Sequence, residues 1–201
     1  MNEQFVVPSL GNCRIQSPLP LSTSSQEDNF RFVEDSQRIL YQATFNDLNQ
    51  HELFGGDSPI SFEAAGPRAM TFFDPSKVRA GIVTCGGLCP GINNVIRALV
   101  MQMYHNYGVR RIYGFRYGFQ GFIPKYRHDI MELTPDSIVN IHHQGGSILS
   151  SSRGPQDIGE IVDCLDRHTI KILFCIGGDG TLQGAHAIAQ EVKARDLKIA
   201  V

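Results

Sequence analysis

The run Ile176, Gly177, Gly178, Asp179, Gly180, Thr181 closes the apolar segment Ile172, Leu173, Phe174, Cys175 and opens a helical pattern. These residue types in this order suit the holding of phosphate. Glycines let backbone amides approach an anion closely, and a helix beginning near Thr181 adds its positive dipole end. Asp179 supplies a carboxylate for a magnesium ion set against phosphate oxygens, and Thr181 supplies a hydroxyl. A second glycine loop spans residues 84–94, with Gly86, Gly87, Pro90, Gly91 and Asn93, and follows its own apolar segment Ala80, Gly81, Ile82, Val83. A third candidate is Ser150, Ser151, Ser152, Arg153, Gly154, Pro155, in which Arg153 offers a permanent charge and five donors. An arginine at the start of the helix expected over residues 156–168 is opposed by the helix dipole, so a bound anion would account for it. Each loop alone reads equally well as a turn between strand and helix, but together they describe a split phosphate site.

The elements that must position these loops begin at Val78. Strands are expected at residues 80–84, 111–115 and 170–176, with a further one beginning at 197–201. Helices are expected at 91–107, where Ile92, Val95, Ile96, Leu99 and Met103 fall at helical spacing, at 156–168, and at 182–194. Another is expected to start at Thr134, Pro135, Asp136 and to stop before Gly145 and Gly146, since threonine caps and proline suits the first turn. Residues 147–152 read as short and extended. Repeated strand and helix units of this length predict an α/β fold: a doubly wound parallel sheet, Rossmann-like and three-layered, whose ligands bind at the carboxyl ends of the strands. Residues 1–75 read as an irregular amino-terminal extension or arm, with Pro18, Leu19, Pro20, a serine-rich run at 22–25 and turn formers at 55–59. Its apolar islands Ile39, Leu40, Tyr41 and Phe72, Phe73 imply that parts of it lie against the main domain.

Composition narrows the function further. At 201 residues and a formal net charge of -2, with basic residues scattered apart from Arg110 and Arg111, nothing points to nucleic acid. No apolar run approaches a membrane span, and the start Met1, Asn2, Glu3, Gln4 lacks the character of a secretory signal, so a cytoplasmic location is expected. The five cysteines form no regular framework and read as reduced thiols. The spacing of Cys85 and Cys89 is not that of a zinc pair, and no second pair answers them. His142 and His143 are adjacent, so on a helix they would point about 100 degrees apart and share no ligand face.

Four of these segments together resemble the phosphofructokinase family. They are residues 84–94, in which Gly86, Gly87, Pro90, Gly91 and Asn93 match the family's Gly-Gly-x-x-Pro-Gly-x-Asn; residues 114–122; residues 145–153; and residues 176–181. The resemblance covers residues 75 to 201. It implies transfer of a phosphoryl group to the 1-hydroxyl of fructose 6-phosphate, giving fructose 1,6-bisphosphate. Carried over by position, it implies that Gly87 lies by the donor's phosphates, that Arg153 and Gly154 meet the donor, and that Gly178, Asp179, Gly180 and Thr181 cradle its phosphates. Asp179 then serves magnesium, and Phe119 packs against adenine. Pyrophosphate-using members typically carry an aspartate where Gly180 stands, so the resemblance favours ATP, with a pyrophosphate-dependent enzyme as the close alternative. A noncatalytic nucleotide-binding module is the alternative from another class. Leu88 and Cys89 look like the longer subgroup, which also carries an amino-terminal extension. The same resemblance places the aspartate that activates the sugar hydroxyl just after Val201, and the sugar-phosphate domain beyond it. The expectation is therefore the donor-binding amino-terminal part of a longer, homo-oligomeric enzyme with no catalytic residue in these 201 positions.

Overall fold

The computed structural model describes residues 7–22, 31–41 and 60–201. The turn formers at 55–59 and most of the serine-rich run fall outside them. The chain divides into two compact units, residues 1–72 and 73–201. In the first, β1 (Ile15–Gln16) pairs antiparallel with β4 (Met70–Thr71), and β2 (Arg38–Leu40) pairs antiparallel with β3 (Ser61–Glu63). Arg68 ties this unit together by donating to the carbonyls of Glu34 and Ala64, at 2.8 and 2.6 Å. Ile39, Leu40 and Tyr41 stand exposed.

The second unit holds a four-stranded sheet in the order β7 (Ile130–Glu132), β6 (Arg111–Phe115), β5 (Arg79–Thr84), β8 (Ile172–Ile176). β5 runs parallel to both neighbours, with Gly81 opposite Tyr113 and Leu173. The expected last strand is reduced to one parallel bridge, Ala200 to Ile172. β7 was not foreseen, and it makes the sheet mixed. It returns antiparallel along β6, with Tyr113 opposite Glu132. No crossover helix separates the two strands, only short 3-10 turns at Gly118–Phe122 and Pro124–Tyr126, so the chain has no route back to a parallel alignment.

Side-chain alternation in the strands builds two cores, one on each face. Ala80, Ile82 and Ile112 meet Ile92, Ile96 and Val100 of α1 (Ile92–Met101) on one face. On the other, Val83, Phe115 and Leu173 meet Ile161 and Leu165 of α2 (Ile158–Arg167) and Ile188 and Val192 of α3 (Asp179–Ala194). Removing side chains of this size from water contributes roughly 1.5–3 kcal/mol each, and this holds helices on both sides of the sheet. The result is the doubly wound three-layer arrangement. Because β6 lies on one side of β5 and β8 on the other, the crossovers diverge at the carboxyl end of β5 and open a crevice there.

Helix boundaries differ from the sequence pattern for local reasons. α1 gives way at Gln102 to a π turn through Asn106. α2 starts where Asp157 caps it, the carboxylate accepting the Glu160 N–H at 2.9 Å. The helix expected from Thr134 does not form. Thr134 and Ser137 make the reciprocal bonds of a helix start, Ser137 N–H to Thr134 Oγ1 at 3.2 Å and Thr134 N–H to Ser137 Oγ at 2.8 Å, but residues 135–140 continue only as turns. One 3-10 turn, Ile141–His143, follows, and Ile138 and Ile141 still reach the core. Residues 147–152 are likewise a loop, with Ser150 in the left-handed region at φ 57 rather than extended.

Two outcomes follow from this packing. Asp157→Ala removes the α2 cap and should lower unfolding stability by about 1 kcal/mol, read from urea denaturation, whereas Asp157→Asn should retain most of it. Burial pushes the Cys85 and Cys175 thiols up to about 12 and raises that of Cys164, while Cys13 and Cys89 are exposed. A raised pKa keeps a thiol protonated at pH 8, so a disulfide reagent should titrate Cys13 and Cys89 rapidly in the native chain. The other three thiols should react only on unfolding.

Candidate donor site

Four loops meet at the carboxyl ends of β5, β6 and β8, and a cleft of about 680 Å³ lies between them. All eight residues singled out from the sequence line it: Gly87, Phe119, Arg153, Gly154, Gly178, Asp179, Gly180 and Thr181. The loops are held by backbone and hydroxyl bonds. The Cys85 N–H donates to the Ile176 carbonyl at 2.9 Å, and the Gly86 N–H to the Ser152 carbonyl at 3.1 Å. Ser151 Oγ donates to the Gly86 carbonyl, and Ser152 Oγ to the Tyr117 carbonyl, each at 2.6 Å. Asn93, 2% exposed, donates through Nδ2 to the Gln144 carbonyl and accepts the Ile148 N–H.

One end of the cleft is built for an anion. α3 begins at Asp179 with Gly178 as its N-cap, and no side chain satisfies the N-cap position. The N–H groups of Asp179 and Gly180 have no carbonyl one turn earlier, so they remain free to meet a ligand at the positive end of the helix. Gly177 is required by close approach: a Cβ there would strike both the Cys85 carbonyl and Thr181 Oγ1. Thr181 is 4% exposed, and its hydroxyl sits in the crevice, 3.8 Å from where a Cβ on Gly86 would stand. Asp179 and Arg153 are exposed and, among the described residues, make no ion pair or side-chain hydrogen bond. Arg153 leans over the first glycine loop, its Nη2 lying 3.8 Å from the Cβ point of Gly87. It stands four residues before the Asp157 cap, so the argument that it sits unfavourably at a helix start does not hold.

The other end is apolar. Phe119, Ile158, Ile161 and Ala187 line it, and the Phe119 ring lies so close to α3 that a Cβ on Gly184 would come within 2.5 Å of it. Eight residues of helix separate Asp179 from Ala187, about 12 Å at the rise of an α-helix, so the cleft runs from amides and charge to an apolar slot. The thiol at its base, Cys85, accepts the Phe119 N–H, but burial dominates and keeps it protonated. Several residues here escaped the sequence reading: Cys85, Gln156, Gln183 and Gly184 line the same cleft. Only Gly184 carried a signal, a glycine inside a helical pattern with no cap to serve. A second hollow of about 680 Å³, lined by Gly145, Gly146, Ser147 and Ser150, shares Gly86, Gly87, Ser152 and Arg153 with the cleft. Among the described residues no three His, Cys, Asp or Glu side chains gather, and no helix is long and apolar enough to cross a membrane.

Comparison with known proteins places this arrangement. The chain is 47% identical over 192 residues to an ATP-dependent 6-phosphofructokinase of Amycolatopsis methanolica, covering 96% of this chain and 41% of that one. It is 42% identical over 202 residues to the ATP-dependent 6-phosphofructokinase of Borreliella burgdorferi, covering 100% of this chain and 44% of that one. The chain thus spans less than half the length of these relatives. Among solved structures, the phosphofructokinase of Pichia pastoris in the T-state superposes with a TM-score of 0.51 at 26% identity, covering 66% of this chain and 15% of that one. The phosphofructokinase family model matches residues 79–201, the stretch that carries the sheet, the four loops and the cleft, and the chain belongs to the phosphofructokinase family.

Proposed function

We propose that this chain forms the phosphoryl-donor side of an ATP-dependent 6-phosphofructokinase, which transfers a phosphoryl group from ATP to fructose 6-phosphate and gives fructose 1,6-bisphosphate. The observation that carries the reading is the length and polarity of the cleft. Its anion end, at Gly178, Asp179 and Gly180, continues about 12 Å along α3 into an apolar slot beside Phe119, a shape that matches a nucleotide. Pyrophosphate would fill the anion end and leave the apolar slot without a role. The names borne by the relatives agree with ATP.

In this reading the free N–H groups at the start of α3 and the amide of Gly87 hold the donor's phosphates, while the Gly86 N–H stays with the Ser152 carbonyl. Arg153 neutralises charge from above, and Phe119 with Ile158 covers the base. Gly154 leaves the backbone beside Arg153 open: a Cβ there would meet nothing within 4 Å. Asp179 fits a magnesium ion, because it is an exposed, unpaired carboxylate at the anion end. Magnesium needs only one or two carboxylates when phosphate oxygens and water complete its shell. Bound there, the ion would offset phosphate charge. Phosphoryl transfer depends mainly on such positioning and charge compensation, and these residues supply both. A cytoplasmic, homo-oligomeric enzyme completes the proposal. A noncatalytic module would bind nucleotide in the same cleft, and turnover of fructose 6-phosphate by a protein containing this chain separates the two.

Asp179→Ala should weaken binding of magnesium ATP at least about tenfold, the loss of a charged contact. Unfolding stability should change by no more than about 1 kcal/mol, the dipole contribution of one acid at a helix start. Titration calorimetry reads the first and denaturation the second; unchanged affinity removes Asp179 from the site. Gly180→Asp distinguishes the donors. A Cβ at Gly180 would meet nothing within 4 Å, so the variant should fold normally and set its carboxylate against the phosphates. ATP affinity should fall by more than that of pyrophosphate, and the reverse order would overturn the choice of ATP.

A further inference from the structure

The hydroxyl of Thr84 joins two of the loops, and its proton can be assigned. Thr84 is the last residue of β5 and is 1% exposed. Its Oγ1 lies 2.7 Å from the Ser150 carbonyl oxygen and 2.8 Å from Ser147 Oγ. A carbonyl only accepts, so the single proton of Thr84 goes to Ser150, and the bond to Ser147 must use the serine's proton. Ser147 Oγ in turn accepts the Leu149 N–H at 3.1 Å. A one-directional chain therefore runs from the Leu149 amide through Ser147 and Thr84 to the Ser150 carbonyl, each bond polarising the next.

That carbonyl belongs to a residue in a costly conformation. Ser150 holds φ 57, the left-handed region that a residue with a side chain avoids unless its surroundings enforce it. The bond from Thr84 is one enforcement, and the next two residues supply others, Ser151 to the Gly86 carbonyl and the Gly86 N–H to the Ser152 carbonyl. Arg153 follows directly. Among the described residues its guanidinium makes no bond, so the backbone of residues 150–152 aims it over Gly87.

We propose that Thr84 is a positioning residue whose buried hydroxyl fixes the Ser150 turn and so presents Arg153 to the donor's phosphates; this rests on the donor-site reading above. Valine has the same shape but neither donates nor accepts, and would remove the bonds that the half-buried Ser150 carbonyl and Ser147 hydroxyl make to residue 84. Serine keeps both bonds.

Magnesium ATP titrated by calorimetry into the wild-type chain, Thr84→Val, Thr84→Ser, Arg153→Ala and the double variant Thr84→Val with Arg153→Ala tests this. Thr84→Val should weaken binding about tenfold, the effect of leaving one buried hydrogen bond unmade, and Thr84→Ser should restore it. Once Arg153 is gone, Thr84→Val should cost nothing further; an equal loss in both backgrounds overturns the proposal. Amide hydrogen exchange gives a reading that needs no nucleotide. Residues 151–154 should exchange faster in Thr84→Val and at the wild-type rate in Thr84→Ser, and unchanged exchange in the valine variant also overturns it. Should Thr84→Val fail to fold, Ser147→Ala removes the chain's proton donor to Thr84 and is read the same way. A wild-type chain that binds no magnesium ATP sinks the donor reading, while the exchange measurement still decides the role of Thr84.

Discussion

The backbone bond from the Cys85 N–H to the Ile176 carbonyl, 2.9 Å long, is the last rung between β5 and β8 before the chain separates. Below it β5 and β8 are locked in register, with Thr84 opposite Ile176. Above it one strand leads to α1 on one face of the sheet and the other to α3 on the opposite face. The rung therefore fixes how far apart the two glycine loops start. That separation is small enough that Gly177 cannot carry a side chain without striking the Cys85 carbonyl, and small enough for amides of both loops to face one ligand.

Rigidity behind the cleft comes from the two cores. Phe115 and Phe122 stack with ring centroids 4.0 Å apart, and both are almost fully buried. This stacking anchors the 3-10 turn Gly118–Phe122, and through it the neighbouring Phe119, at the apolar end of the cleft. Likewise Ile188 and Val192 pin the far half of α3 against the sheet while its first turn stays exposed. A helix held by its middle and end presents its amino terminus without covering it. Core packing and an open helix start are thus two ends of one element.

Charge in the cleft is arranged without internal pairing. Arg153 and Asp179 line the same cleft and have no partners among the described residues, which leaves a cation and a carboxylate open to a ligand. The thiol of Cys85 at the base is kept neutral by burial, so it adds no repulsion beneath a polyanion. A bound anion would raise its pKa further, in the same direction as burial.

The sequence by itself determined the repeat of strands and helices, because alternating apolar positions at strand and helix periods are set by local chain geometry. It also marked the glycine loops that line the cleft, because several of them in register at strand ends say more than any one alone. What it could not determine lay where side chains compete with the backbone or where distant segments meet. After Thr134 the reciprocal bonds of a helix start do form with Ser137, yet the chain continues as turns, and the local pattern read only the start. β7 pairs with β6 because of how the chain turns between them, and no periodicity in Ile130, Met131, Glu132 announces an antiparallel edge. Gln156 and Gln183 carried no sequence signal as members of a site, and although Thr84 and Asn93 lay in a glycine loop already singled out, their partners tens of residues away were not legible. Only the tertiary structure brings those partners together, because hydrogen bonds and close approaches depend on ångström separations that residue order does not encode.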